Sequence, residues 1–404
     1  MRTSHALAAT VLILGIAGCA QLLPSTDEKA ERPGELVLKS VDFVALNGWG
    51  SAEAQSAFAA FASSCKALAS RADSEQFGPV LLYGTVGEWR SACVATQSPP
   101  ATAMASRQFF EAWFRPAQAL NRNEPVGLFT GYYEPELNGS RKQTERFTTP
   151  LHARPVDLVA VDLGAFRPNL RGERIAGRVD GGKLVPYPTR GEIVTSGLKG
   201  HASVVAYVDD AAAAFFLQVQ GSGRVRFADG ETIRVAYDGQ NGHPYTAIGR
   251  VLVDRGQIQR EQLSMQVIRA WLDAHPGEAR QLMNENPSYV FFKEEPLADP
   301  KLGADGAQGV ALTPEASLAV DLRFHGLGAP MWIDAKAPAE DASAPDTPLR
   351  RLVIAQDTGG AIRGPVRGDV YWGAGTRAEN IAGRMAHKGT LYVLLPKAVA
   401  ARLR

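Results

Sequence analysis

Two aspartates twelve residues apart frame the stretch of this chain best suited to chemistry. In LVIAQDTGGAIRGPVRGDVYWGAG, residues 352–375, an apolar strand delivers Asp357 to its C-terminal end. Thr358-Gly359-Gly360 follows as a tight, open turn where backbone can approach a ligand closely. A second strand starts at Asp369 and runs on through Val370, Tyr371 and Trp372. Carboxylates at strand edges around a glycine-lined loop, with aromatic rings beside them, suit a sugar: flat apolar faces to stack on and polar groups for hydroxyls. Aspartates also cap turns by accepting from nearby amides, and that structural reading stands beside the chemical one. The Asp-Thr-Gly triplet would fit an aspartic protease, but a second Asp-Thr/Ser-Gly is needed and the sequence lacks it.

An aspartate that works as an acid near neutrality needs help. A free Asp has a pKa near 3.9, so only about one in a thousand is protonated at pH 7. Desolvation, or a negative neighbour such as Asp357, would raise the pKa of Asp369, while contact with Arg363 or Arg367 would lower it. Alternation along the strand puts Tyr371 and Trp372 on opposite faces.

The elements that must position these groups are of two kinds. Ser51 to Arg71 predicts a helix, with Ala54, Phe58, Phe61, Ala62, Cys65 and Leu68 at three- and four-residue spacing. Ser106 to Arg115 continues in that style, and its Phe109, Phe110, Trp113 and Phe114 read as core. From Val126 the texture turns to short runs of Val, Ile, Tyr and Phe. Residues 128–133, 215–219, 224–227 and 233–237 predict strands, with Ala228-Asp229-Gly230 as a hairpin turn. Helices are expected over 245–254, 260–274 and 277–285, the last ended by Asn286-Pro287. Strands return at 289–292, 316–320, 330–333, 352–356, 370–372 and 390–395, with 335–347 as a loop. The expected class is therefore mainly β with helical additions (α+β), its short glycine-rich strands closing as barrels. No Gly-x-Gly-x-x-Gly opens a helix, so a dinucleotide site is not expected.

Longer motifs extend this reading. GLFTGYYEPEL (127–137), PYPTRGEI (186–193), FFLQVQGSGRVRF (215–227) and YDGQNGHPYTAIGRVLVDRG (237–256) come in that order. SMQVIRAW (264–271), NPSYVFFK (286–293) and AQDTGGAIRGPVRGDVYWGAG (355–375) complete the series. In these motifs residues 35–397 resemble the membrane-bound lytic transglycosylase A family, and residues 352–375 resemble the three-aspartate domain of bacterial cell-wall proteins. The resemblance implies a double-psi β-barrel formed by residues 35–137 and 299–404, with a second barrel domain, 138–298, inserted. Between the two, a groove would hold the glycan strands of peptidoglycan. Asp369 matches the catalytic aspartate, Asp357 the second and Asp321 the first, although HGLGAP stands where a PxG turn is usual. Thr130, Tyr132, Tyr133 and Asp321, with Gln220, Gly221, Ser222 and Gly223 opposite, are implied to meet the sugar. The implied reaction breaks the MurNAc–GlcNAc link with one carboxyl as acid and then base, closing a 1,6-anhydro ring without water. A hydrolase using Asp357 to activate water, or a wall-binding protein without activity, are the alternatives. His243, in NGHPYT, reads as a general base or as turn chemistry, and Arg190 with Glu192 as an ion pair or a substrate contact. Trp49 and Trp332 read as core or groove wall.

The ends and the composition supply the setting. Arg2 and His5 precede a short apolar run, Ala6 to Ala17, that meets Ile16-Ala17-Gly18-Cys19. The run is too short to span a bilayer, which needs about 20 apolar residues, and reads as a signal segment. The expectation is a lipoprotein signal over residues 1–19, acylation of Cys19, and a polar tether over 20–34. Ala20 carries no aspartate-type retention signal, so the expected place is the periplasmic face of the outer membrane. Cys65 and Cys93 then remain as a pair in an oxidising compartment, which favours a disulfide over two free thiols. Lys and Arg number 43 against 42 Asp and Glu. That balance offers nothing to nucleic acid. No metal or other cofactor is expected. A monomer is expected, able to join a cell-wall remodelling complex.

Overall fold

The computed structural model describes residues 34–170, 173–198 and 200–403. The signal segment, Cys19 and all of the tether but Gly34 lie outside the described residues. Three strands come first: β1 (Leu36–Ser40), β2 (Phe114–Asn121) and β3 (Gly127–Glu134). Nine follow: β4 (Glu136–Ser140), β5 (Thr149–His152), β6 (Val159–Asp162), β7 (Arg174–Asp180), β8 (Lys183–Pro186), β9 (Val204–Val208), β10 (Ser222–Arg226), β11 (Thr232–Gln240) and β12 (Val290–Glu295). Five close the chain: β13 (Ser317–Ala319), β14 (Pro330–Ala337), β15 (Thr347–Asp357), β16 (Arg367–Ala374) and β17 (Ala386–Pro396).

The strands sort by chain position. The early and late ones form one sheet, β1-β2-β17-β14-β15-β13-β16-β3, and β17 also pairs with β3. That last pairing closes β17, β14, β15, β13, β16 and β3 into a six-stranded barrel, leaving no open edge to manage within it. The parallel pairs β16–β3 and β13–β15 need long crossovers, and the first of them is the whole intervening chain. Most of that intervening chain makes a second six-stranded sheet, β12-β11-β10-β4-β9-β5, whose ends touch through the bridge Ala153–Phe292. A separate three-stranded sheet, β6-β7-β8, extends from it.

Helices brace both sheets. α1 (Gln55–Leu68) buries Phe58, Phe61, Cys65 and Leu68 on one face, as its spacing predicts. α2 (Arg90–Ala95) and α3 (Ala103–Trp113) pack beside it, with Phe58 edge-on to Phe109 at 4.9 Å and Phe61 edge-on to Phe114 at 5.5 Å. α3 stops two residues short of the expected end, because Phe114 already begins β2 and Pro116 has no amide proton for a helix. Trp49 and Trp332 are core, in edge contact at 5.2 Å. In the middle of the chain lie α4 (Arg190–Ser196), α5 (Ala211–Gln220), α6 (Ile248–Asp254), α7 (Met265–Ala274) and α8 (Pro276–Asn284).

Two expectations are corrected. Residues 215–219 are not a strand but the second half of α5. The side chain of Asp210 caps its start by accepting from the Ala213 amide at 2.9 Å, and four alanines follow. Gly221, at φ +87°, ends it in the left-handed region. The loop expected over 335–347 is shorter, since β14 continues to Ala337 and β15 begins at Thr347, each paired along its length.

Cys65 of α1 and Cys93 of α2 are joined in a disulfide across 28 residues. Closing a loop of this size restricts the unfolded chain by about 3–4 kcal/mol. Replacing both cysteines by alanine is expected to lower the urea midpoint accordingly, and an unchanged midpoint would show the bridge to be neutral.

Candidate active site

The site is built from four neighbouring strands, β15, β13, β16 and β3. Asp369 of β16 is in register with Thr130 of β3 on one side and with Ala319 of β13 on the other. Ala319 is in turn in register with Asp357 at the end of β15. Side chains alternate between the faces of a sheet. Phe129, Leu318, Val370 and Trp372 therefore join the main core, while Thr130, Tyr132, Ala319, Asp357, Asp369 and Tyr371 share the other face. Tyr132, Ala319 and Tyr371 pack there with Leu312 and Ile362. Gly131 faces the core side, where a side chain would strike the Trp372 indole, so a bare backbone is required.

Both aspartates of this row are half-buried and hydrogen-bonded. The Thr130 hydroxyl donates to Asp369 Oδ1 at 2.7 Å, and Arg367 Nη2 donates to the same hydroxyl at 2.8 Å. Asp357 accepts at both oxygens: Tyr132 OH donates to Oδ2 and the Ala307 amide to Oδ1, each at 2.9 Å. Burial pushes the Asp369 carboxyl above its ordinary range, against the opposing pull of Arg367 and Thr130, and the Asp357 charge adds to the rise. Asp357 is raised as well, by burial, despite the Ala307 and Thr358 amides and the Tyr132 hydroxyl that favour its charged form.

Asp321 has a different environment. It is 1 % exposed, and Arg323 Nε and Nη2 both donate to it, with the Arg323 and Gly364 amides adding two more bonds. Burial alone would raise its pKa, but these donors hold it below the usual carboxylate value. The carboxylate expected to meet substrate thus spends its acceptors on the protein, anchoring the loop that leads into β16. His325 anchors the same loop. Its Nε2 lies 2.7 Å from the Pro365 carbonyl and its Nδ1 lies 2.6 Å from Tyr83 OH. A carbonyl can only accept, so Nε2 carries the proton and Nδ1 accepts from the tyrosine. Burial lowers the His325 pKa to about 4, which keeps the ring neutral.

The remaining expected residues divide. The Tyr133 amide donates to Gln220 Oε1 at 3.1 Å, joining β3 to the end of α5, while the Tyr133 ring is buried with its hydroxyl toward Met265 sulfur. Gly221 borders open space, Ser222 is buried, and Gly223 packs so closely on Leu217 and Pro135 that no side chain would fit. His243 Nε2 lies 2.6 Å from the Tyr187 carbonyl. Arg190 and Glu192 do not pair. Glu192 completes a capping box with Thr189, and buried Arg190 donates to Asn286 and Ser288 carbonyls and to Gln218.

Glu134, unremarked in the sequence beyond its motif, proves central. It is fully buried, with Arg234 Nε at 2.9 Å and Arg224 Nε at 3.2 Å, and it accepts from the Ala304 amide. These ion pairs tie β3 of the closed barrel to β10 and β11 of the second sheet. GYYEP carries the carboxylate, GRVR supplies Arg224 and TIRV supplies Arg234, but no local pattern pairs them.

Comparison with known proteins places this geometry. Residues 128–293 match the family described as the MltA specific insert domain, and residues 316–395 match the 3D domain. Membrane-bound lytic murein transglycosylase A of Escherichia coli K12 is 32% identical over 316 residues, 78% of this chain and 75% of that protein. The chain belongs to the membrane-bound lytic murein transglycosylase A family. Structures of this family agree in fold. A membrane-bound lytic murein transglycosylase from Agrobacterium tumefaciens superposes with a TM-score of 0.79 at 32% identity, covering 91% of this chain and 99% of that one. The E. coli transglycosylase A with bound chitohexaose has a TM-score of 0.62 at 27% identity, covering 90% and 95%. The fold class expected for the transglycosylase A family, mainly β with barrels and added helices, is the one observed.

Proposed function

We propose that this protein is a lytic transglycosylase that cuts the MurNAc-β-1,4-GlcNAc bonds of peptidoglycan with Asp369 as its single acid and base. The observation that carries this reading is the contrast between the two carboxyls facing the site. Asp369 has one oxygen, Oδ2, outside the bonds described above, whereas both oxygens of Asp357 are engaged. Two strand spacings, roughly 10 Å, separate their Cα atoms, and a water-activating base would need its carboxyl about 6.5–9.5 Å from the acid. The engaged oxygens of Asp357 argue against that role.

In the proposed sequence, protonated Asp369 gives its proton to the glycosidic oxygen, which leaves as the GlcNAc hydroxyl. The MurNAc C6 hydroxyl then attacks C1, and the Asp369 carboxylate takes its proton, restoring the acid. No water is consumed. The tethered hydroxyl competes well because its effective concentration is high. Thr130 borders the reacting carboxyl of Asp369 and Tyr132 the neighbouring Asp357, with Gln220 and Gly221 on the neighbouring wall, and the glycan lies along the groove between the barrels. The muropeptides released from purified sacculi distinguish the readings by mass spectrometry. Anhydro ends are expected, and reducing ends would make the enzyme a hydrolase.

The pH dependence follows from the raised Asp369. Activity is expected to be full where Asp369 is protonated and to fall as pH rises through its elevated pKa, measured as initial rates against pH. Rates that climb with pH through neutrality would refute the acid role. We further place the mature chain on the periplasmic face of the outer membrane, lipid-anchored at Cys19, as a monomer. Among the described residues no helix is long and apolar enough to cross a membrane. Cys19→Ala is expected to move the protein from the membrane fraction to the soluble one, and retention in the membrane would count against the anchor.

A further inference from the structure

Arg367 is an unusual charge to find beside an acid. It is only 9 % exposed, yet no carboxylate among the described residues lies within salt-bridge distance of it. Its guanidinium donates to the carbonyls of Leu128 and Gly368 and, through Nη2, to Thr130 Oγ1. Burying a guanidinium without a direct ionic partner is costly, and its positive charge opposes the protonation that Asp369 needs. The hydrogen-bond inventory gives it a purpose. Arginine can only donate, and a threonine hydroxyl has a single proton. With Arg367 Nη2 on one lone pair of Thr130 Oγ1, that side of the hydroxyl is closed to its proton, which donates to Asp369 Oδ1 at 2.7 Å.

We infer that Arg367 is a positioning residue that acts through Thr130: it directs the threonine proton onto Asp369 Oδ1 and so assigns the acid proton to Oδ2. Without it, the hydroxyl can rotate and accept a proton from Oδ1. The acid then populates a form whose proton points into the sheet instead of at the glycosidic oxygen. The inference rests on Asp369 being the acid, and it adds the device that decides which oxygen is armed. The charged and titratable groups acting on Asp369 are Arg367 on its own strand, Tyr132 on β3 and Asp357 on β15, so changes at Arg367 can be read in the pH profile.

The experiment measures kcat, KM and the alkaline limb of the pH–rate profile for the full chain in detergent, acting on sacculi. Arg367→Met, Thr130→Val, the double variant and Thr130→Ser are compared. Arg367→Met is expected to lower kcat about 10- to 100-fold with KM nearly unchanged. Its alkaline limb is expected to move to higher pH, because the opposing positive charge is gone. The double variant is expected to be no slower than Thr130→Val, since both changes break one relay, and Thr130→Ser is expected to retain most activity. Additive losses in the double variant, or an unmoved limb in Arg367→Met, would overturn the inference and leave Arg367 a strand brace. Should Arg367→Met fail to fold, Thr130→Val against Thr130→Ser decides alone, because equal kcat in the two would sink the relay. Wild-type protein that yields no anhydro ends would instead overturn the parent mechanism.

Discussion

Asp369→Asn is expected to leave a folded protein that releases no anhydro-muropeptides, a loss of about a thousandfold or more. General acid catalysis alone contributes about 10²–10⁴-fold, and here one group also serves as the base. Asparagine keeps the shape and can still accept from Thr130, but its amide has no acidic proton to transfer to the glycosidic oxygen. The variant should also be insensitive to one source of pH dependence. A carboxyl whose folded pKa lies above its unfolded value contributes stability below the unfolded value and loses it as pH rises through the folded one. Burial raises Asp369, so the wild type should lose stability across that window and Asp369→Asn should lose less. Thermal midpoints at several pH values, taken beside the activity assay, test both statements. Residual anhydro products at more than about a tenth of the wild-type rate would remove Asp369 from the acid role.

Glu134→Gln carries the largest expected effect on stability. The carboxylate is fully buried between Arg224 and Arg234. Removing its charge leaves two guanidiniums facing each other out of water, a loss of about 3–5 kcal/mol. For a chain of this length the entropy of unfolding converts that to a fall in Tm of roughly 5 °C. Activity should suffer beyond the loss of folded protein. Arg224 also donates to the Pro300 carbonyl and Arg234 to the Leu302 carbonyl, so Glu134 fixes how the chain passes from the second sheet back to the first. Calorimetry with activity measured well below Tm separates the two effects. An unchanged Tm would mean that the cluster orients the barrels without stabilising them.

Much of the element pattern was legible because it is local. The helical face of α1 and the hairpin around Ala228-Asp229-Gly230 follow from spacing and turn chemistry over a few residues, and both occur. The late strands were also visible, because β-branched and aromatic runs between glycines have few other uses. The failure at 215–219 has the same root. Phe, Leu and Val in a short run fit a strand or a buried helix equally well, and the decisive signals, Asp210 and Gly221, lay outside the run. The split of the sugar-facing residues was not legible. That Gly223 packs and Asp321 turns inward depends on what another segment presents to it.

By itself the sequence determined the chemical inventory. It showed two aspartates with a glycine turn between them, an alternation that separates Tyr371 from Trp372, a cysteine pair, and the motifs that place the chain in its family. Tertiary structure decided which of those groups meet. Asp369 finds its Thr130 partner 239 positions away, and Asp357 finds Tyr132 across 225, because parallel pairing lays β3 beside β16. The physical reason is that sheet registers are set by side chains packing across strands from distant parts of the chain. A carboxyl's burial, its donors and therefore its proton affinity come from that packing, so the sequence could supply the acid but not the environment that makes it one.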